Sequence, residues 1–495
     1  MKNILNTFKF LFILTMLGAC SDDYLDVNTD PNNPLSVSPD LLLPVALNYA
    51  AIIEDRDRGQ NHLGNMFMAN WSQSDGFSWY TDEFAYRVTT TFYSRIFDYN
   101  YGTVLKQFNV LRQLEGEQYG NYKAIAAIMS ALHFQIIVDT YGDVPYSEAL
   151  QRGGNPTPKY DDAQTIYNAL VNDLTDAIAL IKATKEVAGA LVPGDDDGVF
   201  AGDMDSWIQF ANNVKLRLLV RQSSMTGNEA YLTEEFGKIS TEGSGFYTDD
   251  VIINIGYNNA EDQQNRKWAD FGQDVSGSNT LTNDATCATP YILNRLTSTN
   301  DPRIDALFEE PDTGHLGVVQ GLLDYDVPTV DQFVPDNVSN IGPGILIGPD
   351  QGTVLYSSAE THFNLAEAAH KGYVTGTPKT YYEGGISASF DYLEVSGAAT
   401  YYAQNIANVG WDASSDKLEA IMVQKATALI GINAIQSWFD YNRTGFPDDV
   451  PLSLTGNTKP NIPTRLAYPS SEVTSNTVNL PSQPDVFTTK IFWAN

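Results

Sequence analysis

Few side chains in this sequence stand in a catalytic pattern. Its five histidines are His62, His133, His315, His362 and His370. His362 and His370, eight apart, can share a helix face, but no HExxH pair or Cys/His cluster accompanies them, so no metal site is expected. There is no GxSxG elbow and no GxxxxGK[ST] phosphate loop, and with them go the usual signatures of serine hydrolases and nucleotide-driven enzymes. Glycoside hydrolysis needs two carboxyls about 5 to 10 Å apart across a cleft. Among 61 acidic residues the sequence singles out no such pair.

Aromatic rings are the better-marked chemistry. Residues 67 to 101 hold twelve of them, against 12% over the chain, which marks this stretch for packing or for contact with a ligand. Phe92, Tyr93 and Phe97 fall on or beside a helical stripe and are assigned to the core. Trp71, Trp79 and Tyr80 lie instead in a Ser/Asp/Gly-rich segment with Asp75, where flat rings can stay exposed. An exposed ring stacks on the C–H face of a sugar while neighbouring amides and carboxylates bond its hydroxyls; the same walls suit a peptide. Trp268 and Tyr325, from a loop-rich middle section, complete the candidate ligand site. No cofactor is expected.

Charge narrows the partners. The formal net charge is −32, from 29 basic and 61 acidic residues. Phosphate binding draws on Lys and Arg releasing counterions, so nucleic acid is an unsuitable partner. The N-terminus carries Lys2 and Lys9, an apolar run from Phe10, and then Leu17-Gly18-Ala19-Cys20 before Ser21-Asp22-Asp23. That run is shorter than the about 20 residues a membrane span takes. Residues 1–19 therefore read as a lipoprotein signal peptide, with Cys20 as the lipidation site. With Cys20 acylated, Cys287 has no disulfide partner, and stability must come from the core. No second long apolar run is apparent, so the body is expected to be soluble.

The elements that must position these residues are mainly helical. Residues 20–38 read as a flexible tether; Asp26, Asn28 and Asp30 alternate as in a calcium loop, but Pro31 and Val37 occupy its sixth and twelfth positions, and Asx turns fit better. Helical periodicity runs through Tyr93, Phe97, Val104, Phe108 and Leu111, then through Ile125, Met129, Leu132 and Ile136. Further stripes are Ile166 to Ile181 and Trp207 to Leu218, the latter to be capped by Asp205 or Ser206. Residues 243–354 read as loops with brief strands near Val251 to Ile255 and Ile345 to Ile347. Ser357 to Glu360 fits a capping box, and helices follow through Tyr382 to Leu393 and Leu418 to Ile432. The last fifty residues are Pro-rich and irregular. Successive helix pairs predict stacked helical hairpins over 39–495, in one large helical domain or two.

Several stretches together resemble one family: LGAC with DYLDVNTDPNNP, ALHFQIIVDTYGDVPYSEAL, WIQFANNVKLRLLVR, NLAEAAHKGY with YYEGGISASFDYL, NRTGFP, and IPTRLAYPSSEVTSN. In their order and spacing they are similar to the SusD/RagB nutrient-binding outer-membrane lipoproteins, in the SusD-like branch, from Cys20 to about Asn476. The resemblance implies a TPR-like fold of paired helices and a lipid-anchored place on the surface of a Bacteroidetes outer membrane. It implies a SusC-like TonB-dependent transporter as partner and an oligosaccharide, or else a peptide, as ligand, bound without catalysis. A glycan-degrading hydrolase of the same uptake system and an adhesive or transporter-supporting protein are the rival readings. Most matched residues read as architectural: Asp139 to Tyr146 at a helix end, Asn212, Asn213, Arg217 and Arg221 bracing hairpins, Arg443 to Gly445 and Arg465 with Glu472 fixing loops. Gly384 and Gly385 inside a helix suggest close approach of another backbone.

Overall fold

The computed structural model describes residues 38–322 and 330–494. The signal peptide, Cys20, the Asx-turn segment and Tyr325 lie outside the described residues.

The chain builds paired helices because its apolar residues recur at helical spacing. The principal ones are α1 (Pro39–Asp55), α2 (Gln60–Phe67), α3 (Gly120–Tyr141), α4 (Ala163–Thr184), α5 (Met204–Arg221), α6 (Ser358–His370), α7 (Pro378–Tyr392), α8 (Lys417–Ala428) and α9 (Ala434–Thr444). α3 packs on α4 and α5, α6 on α7 and α8, and α9 on α2, so the last helices close back on the first. Strands are few and short among the described residues. β1 (Trp71–Gln73) pairs antiparallel with β3 (Thr286–Ala288), and β2 (Val251–Ile253) with β4 (Thr353–Tyr356). Ile345 sits in a turn rather than in the expected strand, and the loop-rich middle also holds short helices at Arg266–Phe271 and Pro290–Ser298.

Three helical expectations are sharpened. The stripe from Tyr93 to Leu111 runs through Arg95–Tyr99 and Lys106–Arg112, with a π-helical segment, Asn100–Leu105, between them. The wider turn falls where the apolar spacing stretches to seven residues, from Phe97 to Val104. It turns Asn100 inward, fully buried, where its amide donates to the Ile96 carbonyl at 2.6 Å and its oxygen meets His133 Nδ1 at 2.8 Å. α3 is buried almost all round rather than amphipathic. The helical stretch Glu117–Tyr141 is long and apolar enough to cross a membrane, a run the sequence reading passed over, but 94% of its apolar window is buried inside the protein, so it serves as a core helix. The cap of α5 is Asp203, which accepts from the Asp205 and Ser206 amides at 3.0 and 3.3 Å, two to three residues earlier than expected.

Charged side chains fasten the hairpins from inside. Arg217 on α5 grips Glu360 on α6 through two 2.7 Å bonds, Arg221 reaches Asp440 on α9 at 2.7 Å, and Arg443 grips Glu367 at 2.6 and 2.7 Å. All six are buried. Ser357 Oγ accepts from the Glu360 amide at 3.1 Å, which is half of a capping box; the Glu360 carboxylate is taken by Arg217 instead of returning to the cap. The irregular C-terminal stretch is anchored too: Trp493 is fully buried and donates to Asp139 at 2.8 Å.

Candidate functional site

A cleft of about 820 Å³ opens between α1 and the segment that follows β2. Asn48 and Ile52, one turn apart on α1, form one wall, and Tyr257, Gln263, Gln264 and Arg266 form the other. Local hydrogen bonds hold these groups. Tyr257 donates its hydroxyl to Asn48 Oδ1 at 3.3 Å, and burial pushes its phenol well above the usual range, so it stays a neutral donor. Gln263 Oε1 accepts from Asn258 at 2.8 Å, and Gln264 donates to Asn259 at 2.8 Å. At the rim, hydrogen bonds from Ser276 and Ser278 hold the Asp274 carboxyl below its ordinary value, which keeps it an anionic acceptor. The cleft thus offers a ring, amides that both donate and accept, and carboxylate acceptors.

Arg266 joins this cleft to the Trp79 loop. It donates to Asp270 at 2.9 Å, Asp270 accepts the Asp57 amide at 2.7 Å, and Asp57 pairs with Arg58 at 2.9 Å. Arg58 in turn donates to the Trp79 carbonyl at 2.9 Å. Trp79 is partly exposed and packs edge-on against Phe77, ring centres 5.1 Å apart, while its own amide donates to Gln73 at 2.7 Å. Asp75 is partly exposed in the same loop, its amide bonded to the Phe333 carbonyl at 2.8 Å.

Two other candidate rings are placed differently. Trp71 is 1% exposed and Tyr80 0%, and both pack around His62 with Phe271; Tyr80 also bonds Thr286 at 2.9 Å. In these positions they have no face to offer a sugar. The reason is β1: pairing of Trp71 opposite Ala288 draws the start of the polar segment into a core cluster, leaving only the tip from Asp75 to Trp79 outside. Trp268 is partly exposed on the short helix Arg266–Phe271, two residues from Arg266, and is not part of the cleft lining. The structure therefore brings Trp79 and Asp75 together, sets Trp268 nearby in sequence to the cleft, and separates Trp71 and Tyr80 from solvent.

Asn48, Tyr257, Gln263 and Gln264 were not picked out from sequence. A signal existed in the run YNNAEDQQ at 257 to 264, where six of eight side chains carry an amide or a carboxyl. Another was Asn48, a polar residue in the apolar middle of α1, four residues before Ile52.

Carboxyls with raised proton affinity are the usual mark of acid–base catalysis. Burial pushes Glu54 up to about 8 and raises Glu83, Asp139, Asp250 and Glu309 as well. None of these five lines the cleft. Glu54 is buried in the interior, Asp139 is held there by Gln135, Tyr167 and Trp493, and Glu83 faces Arg58 at 3.5 Å.

The architecture is a helical scaffold carrying an open cleft of mixed polar and apolar lining. The chain belongs to the SusD-like family, described as "Starch-binding associating with outer membrane", which matches residues 31–469. Solved structures share the fold. A chitin-binding SusD homolog from Flavobacterium johnsoniae superposes with a TM-score of 0.75 at 22% identity, covering 92% of this chain and 98% of that one. A SusD homolog from Bacteroides uniformis gives 0.75 at 22%, over 93% and 100%. A SusD-like protein from Bacteroides thetaiotaomicron gives 0.73 at 23%, over 92% and 99%. No curated protein sequence matches. The mainly helical, TPR-like architecture read from the sequence is the one these relatives share.

Proposed function

We propose that this protein captures oligosaccharide at the cell surface, without catalysis, and passes it to a SusC-like TonB-dependent transporter in the outer membrane. Cys20 carries the lipid anchor and residues 20–38 the tether. The observation that carries the reading is the cleft itself: an open groove whose amides, tyrosine hydroxyl and carboxylates match the alternating donors and acceptors of sugar hydroxyls. The chain of contacts from Arg266 through Asp270, Asp57 and Arg58 connects it to the loop of the partly exposed Trp79, a candidate stacking surface. The starch-binding description of the family and the chitin-binding relative favour a glycan over a peptide. The five carboxyls whose proton affinity burial raises all stand outside the cleft lining, which favours binding over hydrolysis.

A glycan array probed with the lipid-free protein tests this. Retention of at least one oligosaccharide class, weakened by Tyr257→Ala, supports the reading. Retention of peptides alone would replace the ligand class, and release of shortened sugars at enzymatic rates would replace binding by hydrolysis.

A further inference from the structure

Away from the cleft, Asp305, Glu310 and His315 bring one carboxylate oxygen each and an imidazole nitrogen within 4.8 Å of one another. They stand five residues apart in sequence, a spacing that matches no metal-binding motif, and only the fold unites them. Asp305 lies on a short helix, Ile304–Leu307. The chain then leaves through Phe308, turns at Pro311 to Gly314, and returns through Leu316. The two stems of this loop are fastened to adjacent residues of one segment: the Glu309 amide donates to the Asn340 carbonyl at 2.9 Å, and the Ser339 amide donates to the Leu316 carbonyl at 2.8 Å. That double attachment holds Glu310 and His315 facing each other over Asp305.

The imidazole is oriented from outside the cluster. His315 Nδ1 lies 2.9 Å from the hydroxyl of Ser339, a fully buried residue, and the ring is only 14% exposed. Its other nitrogen, Nε2, points at Asp305 Oδ1, 3.0 Å away. With the Nδ1 proton donated to Ser339 Oγ, the Nε2 lone pair faces the two carboxylates. A buried partner that sets the tautomer of a ligating histidine is the arrangement expected around a bound metal. The 3.0 Å separation of Nε2 and Oδ1 also suits an ion bound at the roughly 2.0 to 2.2 Å of zinc bonds to imidazole and carboxylate.

We propose that Asp305, Glu310 and His315 bind a zinc-class divalent cation that ties the 308–318 loop to the short helix before it. The donor set combines one imidazole with two carboxylates, which favours zinc over the all-oxygen preference of calcium. Three protein ligands leave a position for water. The charges balance: two carboxylates neutralise the dication.

The test is calorimetric titration of zinc chloride into the tag-free full chain carrying Cys20→Ala, stripped with chelator. One equivalent should bind saturably and raise the melting temperature. His315→Ala should weaken zinc binding on the order of 100-fold, and Ser339→Ala, which removes the orienting hydroxyl, on the order of 10-fold. Asp305→Asn and Glu310→Gln, both at exposed positions, keep the test valid should the histidine variant fold poorly. Three results overturn the proposal: no saturable zinc binding, zinc affinity unchanged in His315→Ala, or calcium binding as tightly as zinc.

Discussion

Trp79 and Trp71 stand eight residues apart in one aromatic-rich segment and occupy opposite environments. Trp79→Ala is expected to weaken glycan binding while leaving the melting temperature nearly unchanged, because its ring is partly exposed in a loop tip. Trp71→Ala should instead cost about 3 to 5 kcal/mol of stability, the usual range for an emptied aromatic site in a core. Paired denaturation and calorimetry on the two variants separate these outcomes; unchanged affinity for Trp79→Ala removes that ring from the site. Composition marked the segment as special. It could not divide the rings, because burial of Trp71 and Tyr80 depends on the pairing of β1 with a strand more than 200 residues away.

Glu54 gives the residue scale a pH signature. Burial, with Asp55 adding to it, pushes its carboxyl from 4.5 up to about 8. A carboxyl raised on folding contributes stability that is fully present below its unfolded value and is lost as pH rises through the folded one. Stability should therefore decline between pH about 4.5 and about 8, and Glu54→Gln should flatten that decline. Asp57 acts oppositely: burial opposes its charge, but the hydrogen bond from His62 and the charges of His62 and Arg58 outweigh burial and lower it to about 2. Its contribution is present above its ordinary value and disappears in acid. Urea denaturation across pH, wild type against Glu54→Gln, reads both limbs.

Between elements, the buried ion pairs are the fasteners, and their members were legible as a group only. The sequence marked Arg217 and Arg221 as braces between hairpins and Arg443 as fixing a loop, whereas Arg443 too joins two helices; the partners Glu360, Asp440 and Glu367 lie 143, 219 and 76 residues away. Arg465 and Glu472, expected to act together, go to different partners: Arg465 to the Tyr141 carbonyl and Glu472 to the Tyr160 hydroxyl. Replacing Arg443 by Ala strands the buried Glu367 carboxylate, and the expected loss is about 3 to 5 kcal/mol in chemical denaturation. Glycines carry the α6–α7 contact. A Cβ on Gly385 would sit 2.8 Å from the Phe363 ring, and one on Gly384 2.7 Å from the His362 ring, so the close approach expected there is to side chains rather than backbone. Gly385→Ala should accordingly destabilise by about 1 to 3 kcal/mol despite the better helix propensity of alanine.

At the scale of the molecule, the helical class and the order of its hairpins followed from periodicity, since each stripe needed a partner. The cleft did not. It is bounded by α1 and a segment about 200 residues later, and the amides and acids in its lining, one at a time, look like ordinary surface. The proposed anchor supplies a separate whole-molecule expectation: Cys20→Ala should release the protein from the membrane and impair glycan uptake by cells, while its affinity in solution matches wild type. A fall in affinity would give residues 20–38 a part in binding.

The central claim is that the cleft between α1 and the Tyr257 segment holds oligosaccharide and leaves it intact. Its most direct test is calorimetric titration of the lipid-free protein with starch and chitin oligosaccharides, followed by chromatography of the recovered sugar. The account predicts saturable binding of at least one oligosaccharide, loss of that binding on Tyr257→Ala, and sugar recovered at its original length. Binding indifferent to Tyr257→Ala, or sugar recovered in shortened form, would contradict it.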